Sequence, residues 1–182
     1  MMSLLRWTVF TLLLAAAIHV SAVHFLPISI VSTAHSRIVA ISGANTMTHG
    51  PRVDETARQV VRPSPDLLYS ICAFDLSDGP VRITAPVPEG TYTSLSLYDL
   101  DSTNFFAQND RTVPFGRFDL TLLPPASGSS STADAAEVVA PRSKGIVLFR
   151  TLITDETAFG RLDAARRQAT CAPVSDGGRG AG

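Results

Sequence analysis

Apolar and polar positions alternate with a period of two in a series of short runs between residues 61 and 153, and Gly, Pro and Asp clusters separate the runs. In residues 67–76, LLYSICAFDL, Leu68, Ser70, Cys72, Phe74 and Leu76 share one parity, and Tyr69, Ile71, Ala73 and Asp75 share the other. That period predicts a strand turning Leu68, Cys72, Phe74 and Leu76 toward a core. The following SDGP closes it, because Asp and Gly reach tight-turn angles and Pro80 cannot continue a central ladder. Residues 81–85 set Val81 and Ile83 against Arg82 and Thr84, and residues 91–100 set Leu95 and Leu97 against Ser94, Ser96 and Tyr98. Residues 104–108, 116–123 and 145–153 read as further strands. After residue 153 the period changes. Thr154 or Asp155 is placed to cap a helix reaching about Gln168, with Phe159, Leu162 and Ala165 or Ala169 on its apolar stripe and Arg161, Arg166 and Arg167 outside as solvated surface. Short strands with Gly/Pro turns predict a mainly β fold, an antiparallel β-sandwich (jelly-roll-like) with a C-terminal helix, rather than βαβ units.

The N-terminus follows a different pattern. No Asp, Glu, Lys or Arg occurs in residues 7–36, and the apolar window 7–31 is long enough to cross about 30 Å of hydrocarbon as one transmembrane helix. Arg6 before it favours a cytoplasmic N-terminus and a periplasmic domain, hence single-pass placement in the inner membrane with the lipid bilayer as partner. The alternative is a cleaved signal sequence, with small residues at Val20-Ser21-Ala22 as the site. His19 and His24 lie in the outer half of this window and read as tolerated residues that reach toward the headgroups. Residues 32–60 read as a tether, 61–174 as the β domain, 124–144 as a flexible Pro/Ser/Ala/Thr-rich loop within it, and 175–182 as a disordered tail.

Composition narrows the function classes. With 182 residues, 17% charged residues and a formal net charge of -1, the chain has room for one domain and no basic excess for nucleic acid. No Walker, GxGxxG, HExxH, CxxC or GxSxG motif occurs, and no cofactor is expected. The four histidines, His19, His24, His35 and His49, all precede the expected domain. Asp66, Asp75, Asp78, Asp99, Asp101 and Asp110 are the polar group that could assemble in space, and Asp75, Asp78, Asp99 and Asp101 fall at strand ends, where turn bracing, a carboxylate pair or a cation site are the alternatives, with Arg111 as a neutralising cation. Tyr69, Tyr92 and Tyr98 suit either a pocket or cross-strand packing. Cys72 and Cys171 are the two cysteines. In an exported domain they are expected to pair, closing a loop whose entropy is worth roughly 4 to 5 kcal/mol, with two buried thiols as the alternative.

The run PDLLYSICAFDLSDGPVRITAP, followed by GTYTSLSLYD and later NDR, resembles the DUF1254 family of bacterial proteins of unknown function. The resemblance rests on Asp66, Tyr69, Ser70, Asp75, Leu76, Gly79, Pro80, Pro86, Tyr92 and Asp99. Ser64 stands where the family motif has Asn, and Leu67 or Leu68 where it has Thr. The resemblance implies no catalytic assignment. It marks Asp66, Tyr69, Ser70, Asp75, Tyr92, Asp99 and Arg111 as a family-motif or ligand patch. Long members look like two β-rich domains, the second called DUF1214, and the short length here makes a DUF1214-type protein an expected partner. Three readings of function remain: a non-catalytic binding or interaction module in the envelope, a periplasmic hydrolase-like enzyme using the acidic/arginine set, and a structural spacer.

Overall fold

The computed structural model describes residues 2–54, 56–57, 63–113, 116–127 and 136–174. It opens on one helix, α1 (Met2–Ser42), unbroken at Pro27. This helix runs well past its expected end, so the first part of the expected tether is helical. Residues 32–42 contain no Gly or Pro, and Ser32, Ala34, His35, Ile38, Val39 and Ser42, spaced as one helical face, are the less exposed positions of that segment. Gly43, at φ 84°, ends the helix with its N–H on the Val39 carbonyl.

Nine strands follow among the described residues: β1 (Thr48–His49), β2 (Leu67–Asp75), β3 (Val81–Pro86), β4 (Thr93–Asp99), β5 (Asn104–Asn109), β6 (Arg117–Leu123), β7 (Ala136–Val139), β8 (Lys144–Leu152) and β9 (Thr170–Pro173). One sheet has the order β1-β2-β8-β4-β5 and is antiparallel throughout. The other has the order β7-β6-β3-β9, with β6 and β7 parallel. With α1 included, helix and strand contribute similar numbers of residues, so the chain as a whole is not mainly β. The architecture among the described residues is two sheets with a C-terminal helix.

The alternation in β2 works as the pattern requires: Cys72 and Phe74 join Leu95, Leu97, Val147 and Phe149 on one side of the core, against Val81, Ile83, Phe118, Leu120 and Leu122 from the second sheet. Phe118 and Phe149 meet edge to face across the gap, with centroids 5.8 Å apart. Opposite Phe74 on β8 is Gly145. A Cβ there would lie 2.2 Å from the Tyr98 carbonyl oxygen and 2.5 Å from the Phe74 ring, so the ring lies across β8 only because the position is glycine. Cys72 and Cys171 form a disulfide with Cα atoms 6.5 Å apart, tying β2 to β9 between the sheets.

Ala73, of the opposite parity, is also fully buried, because α1 packs against β2 and β8 on the side away from the core. At the far end, Asp155 Oδ1 accepts from the Ala158 N–H and caps a short 3-10 turn (Glu156–Ala158), which leads into α2 (Phe159–Arg166). Leu162 and Ala158 close over Leu68 there, as a second small cluster. β7 falls in the expected flexible loop, whose residues 128–135 lie outside the described residues, as does the tail.

Candidate functional site

The polar side chains sort by their position along β2. Strand pairing puts Leu67 beside Leu152, and Thr93 beside Thr151, at one end. At the other end Asp75 is beside Lys144, and Asp99 beside Gly145. The nine residues of β2 separate these ends by about 26 Å. Asp66, Tyr92 and Arg111 belong to the first end and Asp75 and Asp99 to the second, so the family-motif patch does not converge on one cleft.

At the first end, Asp66 and Arg111 are exposed, and their backbone groups brace turns: Asp66 carbonyl accepts from Ile153, and Arg111 N–H donates to Asn109 Oδ1. Tyr69 hydroxyl accepts from the Ser64 N–H at 2.9 Å. Tyr92 is 41% exposed. Asp110 Oδ1 accepts from the Thr93 N–H at 3.3 Å.

At the second end, Asp75 accepts from the Ser77 N–H and hydroxyl and pairs with Lys144 Nζ at 3.0 Å. Burial opposes its ionisation, but Ser77 and Lys144 outweigh that and hold its pKa below the usual carboxylate value. Asp99 is 4% exposed and accepts from the N–H groups of Asp101 and Thr103. Burial first, and then the neighbouring Asp101 carboxyl, raise its pKa, while Asp101 is lowered chiefly by its hydrogen bond with Asp99. The two carboxyls therefore titrate as a pair, Asp101 losing its proton the more readily. Arg142 lies 3.8 Å from Asp99 and 3.4 Å from Asp101. These contacts brace the β4–β5 and β7–β8 turns. Among the described residues, no three His, Cys, Asp or Glu side chains are grouped to hold a metal ion.

Between the ends lies a junction that the sequence reading missed. Arg166, expected on the solvated face of α2, is 1% exposed. Its Nε donates to Asp163 Oδ1 at 2.7 Å, Nη1 to the Tyr69 carbonyl at 2.9 Å and Ser70 Oγ at 3.3 Å, and Nη2 to the Gly50 carbonyl at 2.6 Å. Ser70 Oγ also meets His49 Nδ1 at 2.8 Å. A guanidinium only donates, so Ser70 Oγ accepts from Arg166, and which atom donates in the His49–Ser70 bond follows from the His49 tautomer. Burial first, then the Arg166 and Arg167 charges, pull the His49 pKa below the ordinary imidazole value, against Asp163. The sequence reading set all four histidines before the domain, yet His49 sits in β1, and His35 reaches the Phe74 carbonyl from α1 at 3.0 Å. Ser70 is fully buried, so the His49–Ser70 contact ties β1 to β2 and presents no accessible nucleophile.

A groove of about 290 Å³ lies at the edge of the second sheet, lined by Thr84, Ala85, Pro86, Gly116, Arg117 and Gln168. None of the patch residues lines it.

The fold is similar to that of the VPA0106 protein from Vibrio parahaemolyticus, at 14% identity with a TM-score of 0.65, covering 84% of this chain and 36% of that one. An uncharacterised protein from Burkholderia cenocepacia matches at 13% identity with a TM-score of 0.48, over 74% of this chain and 37% of that one. The chain thus spans about a third of the length of either structure. No curated protein matches it. The family described as protein of unknown function DUF1254 matches residues 44–173, from just after α1 to the end of β9. Family match and two-sheet fold agree, and the chain belongs to the DUF1254 family.

Proposed function

We infer that the chain is a single-pass membrane protein holding a non-catalytic β domain against the outer surface of the inner membrane as a binding or interaction module. The observation that carries this is the division of α1. Residues 3–26 are exposed on every side apart from half-buried Ala22, with Leu4, Trp7, Phe10, Leu13, Ile18 and Phe25 among the open side chains. From Pro27 onward one face of the same helix is covered by the domain. About 30 Å of charge-free helix from Trp7 to Leu26, exposed all round, suits a bilayer better than water. Cleavage after Ala22 would leave Val23, Phe25, Leu26 and Ile30 on an open helix face, each more than half exposed, which favours a retained anchor over a removed signal. Arg6 favours an inside N-terminus, and the disulfide suits an oxidising compartment outside.

The hydrolase reading needs Asp66, Tyr69, Asp75, Asp99 and Arg111 around one substrate, and their separation along β2 takes away its support. A binding role leaves a protein partner to be found, and a DUF1214-type chain is the expectation; pull-down from solubilised membranes tests it. The anchor itself is tested by carbonate extraction of membranes together with the mass of the mature chain. The expected result is a pelleted chain with its N-terminal segment intact; a mature N-terminus at Val23 would sink the reading.

A further inference from the structure

We propose that the end of the domain carrying Val139, Val174, Arg142 and Lys144 is a lipid-contacting surface, set in the phospholipid headgroup layer with the strands of the first sheet standing along α1. This rests on the membrane-anchor reading above and adds which end meets the bilayer.

Two contacts fix the direction of α1. Ser42 Oγ accepts from Thr48 Oγ1 at 2.6 Å, and Thr48 lies opposite Ile71 of β2. His35 Nε2 meets the Phe74 carbonyl. From Ser42 back to His35 the helix advances about 10 Å, and from Ile71 to Phe74 the strand advances about 10 Å. Equal advances mean that helix and strand run nearly side by side. After Ser42 the chain crosses back to the Asp75 end, where Asn45 bonds to Ala73 and Asp75, and then runs antiparallel to β2, in the same sense as α1, with Thr48 opposite Ile71 and His49 opposite Ser70. The N-terminal part of α1 therefore leaves the domain past Asp75, not past Leu67.

The distance fits the headgroup layer. From His35 to Leu26, the last residue of the all-round exposed apolar segment, is about 13 Å of helix, and Asp75 stands about 3 Å beyond Phe74. The strand ends thus lie about 10 Å from the apolar segment, and the turns that project from them reach into a polar layer some 6–7 Å deep on each side of the hydrocarbon.

The surface chemistry points the same way. Among the described residues beyond α1, the exposed large hydrophobics are Tyr92, Val139 and Val174. Val139 pairs with Leu123, one step past the Leu122–Val81 pair, and Val174 donates its N–H to the Pro80 carbonyl beside Val81. Both valines therefore lie at the end where β3 begins, next to the Asp75 end of β2, and Tyr92 lies at the opposite end. Arg142 and Lys144, 56% and 48% exposed, are paired with Asp99, Asp101 and Asp75, so the two valines are the apolar surface that this end presents to the headgroup layer.

Trp7 is the sole tryptophan and supplies the control. The full chain is reconstituted into phosphatidylethanolamine/phosphatidylglycerol vesicles holding nitroxide-labelled lipid. Quenching of Trp7 by acyl-chain label tests the anchor. In a Trp7→Phe background, Val174→Trp is expected to be quenched several-fold more by headgroup label than Tyr92→Trp, with Val139→Trp as a second proximal probe should Val174→Trp fail to fold. Unquenched Trp7 overturns the anchor reading. Quenched Trp7 with equal quenching at both ends, or stronger quenching at Tyr92→Trp, overturns the assignment of the lipid-facing end alone.

Discussion

A guanidinium removed from water is tolerated only where its donors are met and its charge is opposed, and Arg166 meets both conditions through Asp163, Ser70 and the carbonyls of Tyr69 and Gly50. Those partners come from three segments distant in sequence, so the side chain clamps β1, β2 and α2 together. Arg166→Ala takes the donor from the Gly50 carbonyl and one of two donors from Asp163 and the Tyr69 carbonyl, which keep Arg167 and the Gly50 N–H, and is expected to cost about 1–3 kcal/mol in denaturant unfolding; a loss below about 1 kcal/mol would show that water replaces the clamp. His49 makes the same junction sensitive to pH. Its folded pKa is lowered while its unfolded value stays near the ordinary 6.5, so the unfolded chain binds the extra proton first. The stability penalty is absent above the unfolded value, grows as pH falls through it, and is complete below the folded value. Melting curves at about pH 7.5 and about pH 5 should show the full chain losing stability on acidification, with His49→Gln losing less; identical pH dependence in the two chains would remove His49 as the cause. A signal for Arg166 is present in the sequence, since four-residue steps through Ala158 and Leu162 land on it. It reads as surface because an arginine late in a helix ordinarily favours the dipole and the solvent. The carboxylates Asp66, Asp75 and Asp99 were legible as strand-end residues, but which end each occupies depends on the pairing of β2, β4 and β8, and no spacing along the chain encodes that.

At the scale of elements, α1 performs two tasks that the sequence assigns to separate segments. Its first part is apolar all round, and its last part presents a single face to β2 and β8. The expected boundary at residue 31 follows hydropathy, which falls among Ser32, Thr33, His35, Ser36 and Arg37. The helix continues because a docked helix needs only one covered face. A chain starting at Pro27 is therefore expected to fold and stay in solution, with a melting temperature close to that of the full chain in detergent. A chain starting at Gly43 uncovers Ala73 and removes His35 from the Phe74 carbonyl. It should melt lower and bind a hydrophobic dye; equal stability of the two chains would mean that the docked turns contribute nothing. The same reasoning separates the legible strands from the others. β2, β3, β4, β6 and β8 have one face in the core, and their alternation shows in the sequence. β1, β7 and β9 are edge strands of two to four residues, created by the partner they pair with, and so short a segment leaves no period to read. In β7 the pairing with β6 is parallel, which the turn signals of the neighbouring runs do not announce.

The whole molecule is held at two levels, by the core between the sheets and by a covalent link across it. Cys72 lies in β2, next in the sheet to β8, and Cys171 lies in the last strand, 99 residues on. β9 is short and pairs with β3 on one side only, so the disulfide is its second attachment. The attachment also matters for α2, which reaches β9 through only Arg167, Gln168 and Ala169, and which carries Arg166 into the junction with β1. Losing the bond should therefore loosen the C-terminal end before the central strands. Cys72→Ala with Cys171→Ala is expected to cost about 2–5 kcal/mol and to lower the melting temperature on the order of 10 °C. Hydrogen exchange should rise first in β9 and α2, with β2, β4 and β8 protected until global unfolding. A double variant that melts within a few degrees of the parent, with β9 still protected, would mean that the β3 pairing and the Arg166 clamp suffice to hold the C-terminus. A large loss spread evenly over both sheets would mean that the bond acts on the unfolded chain alone.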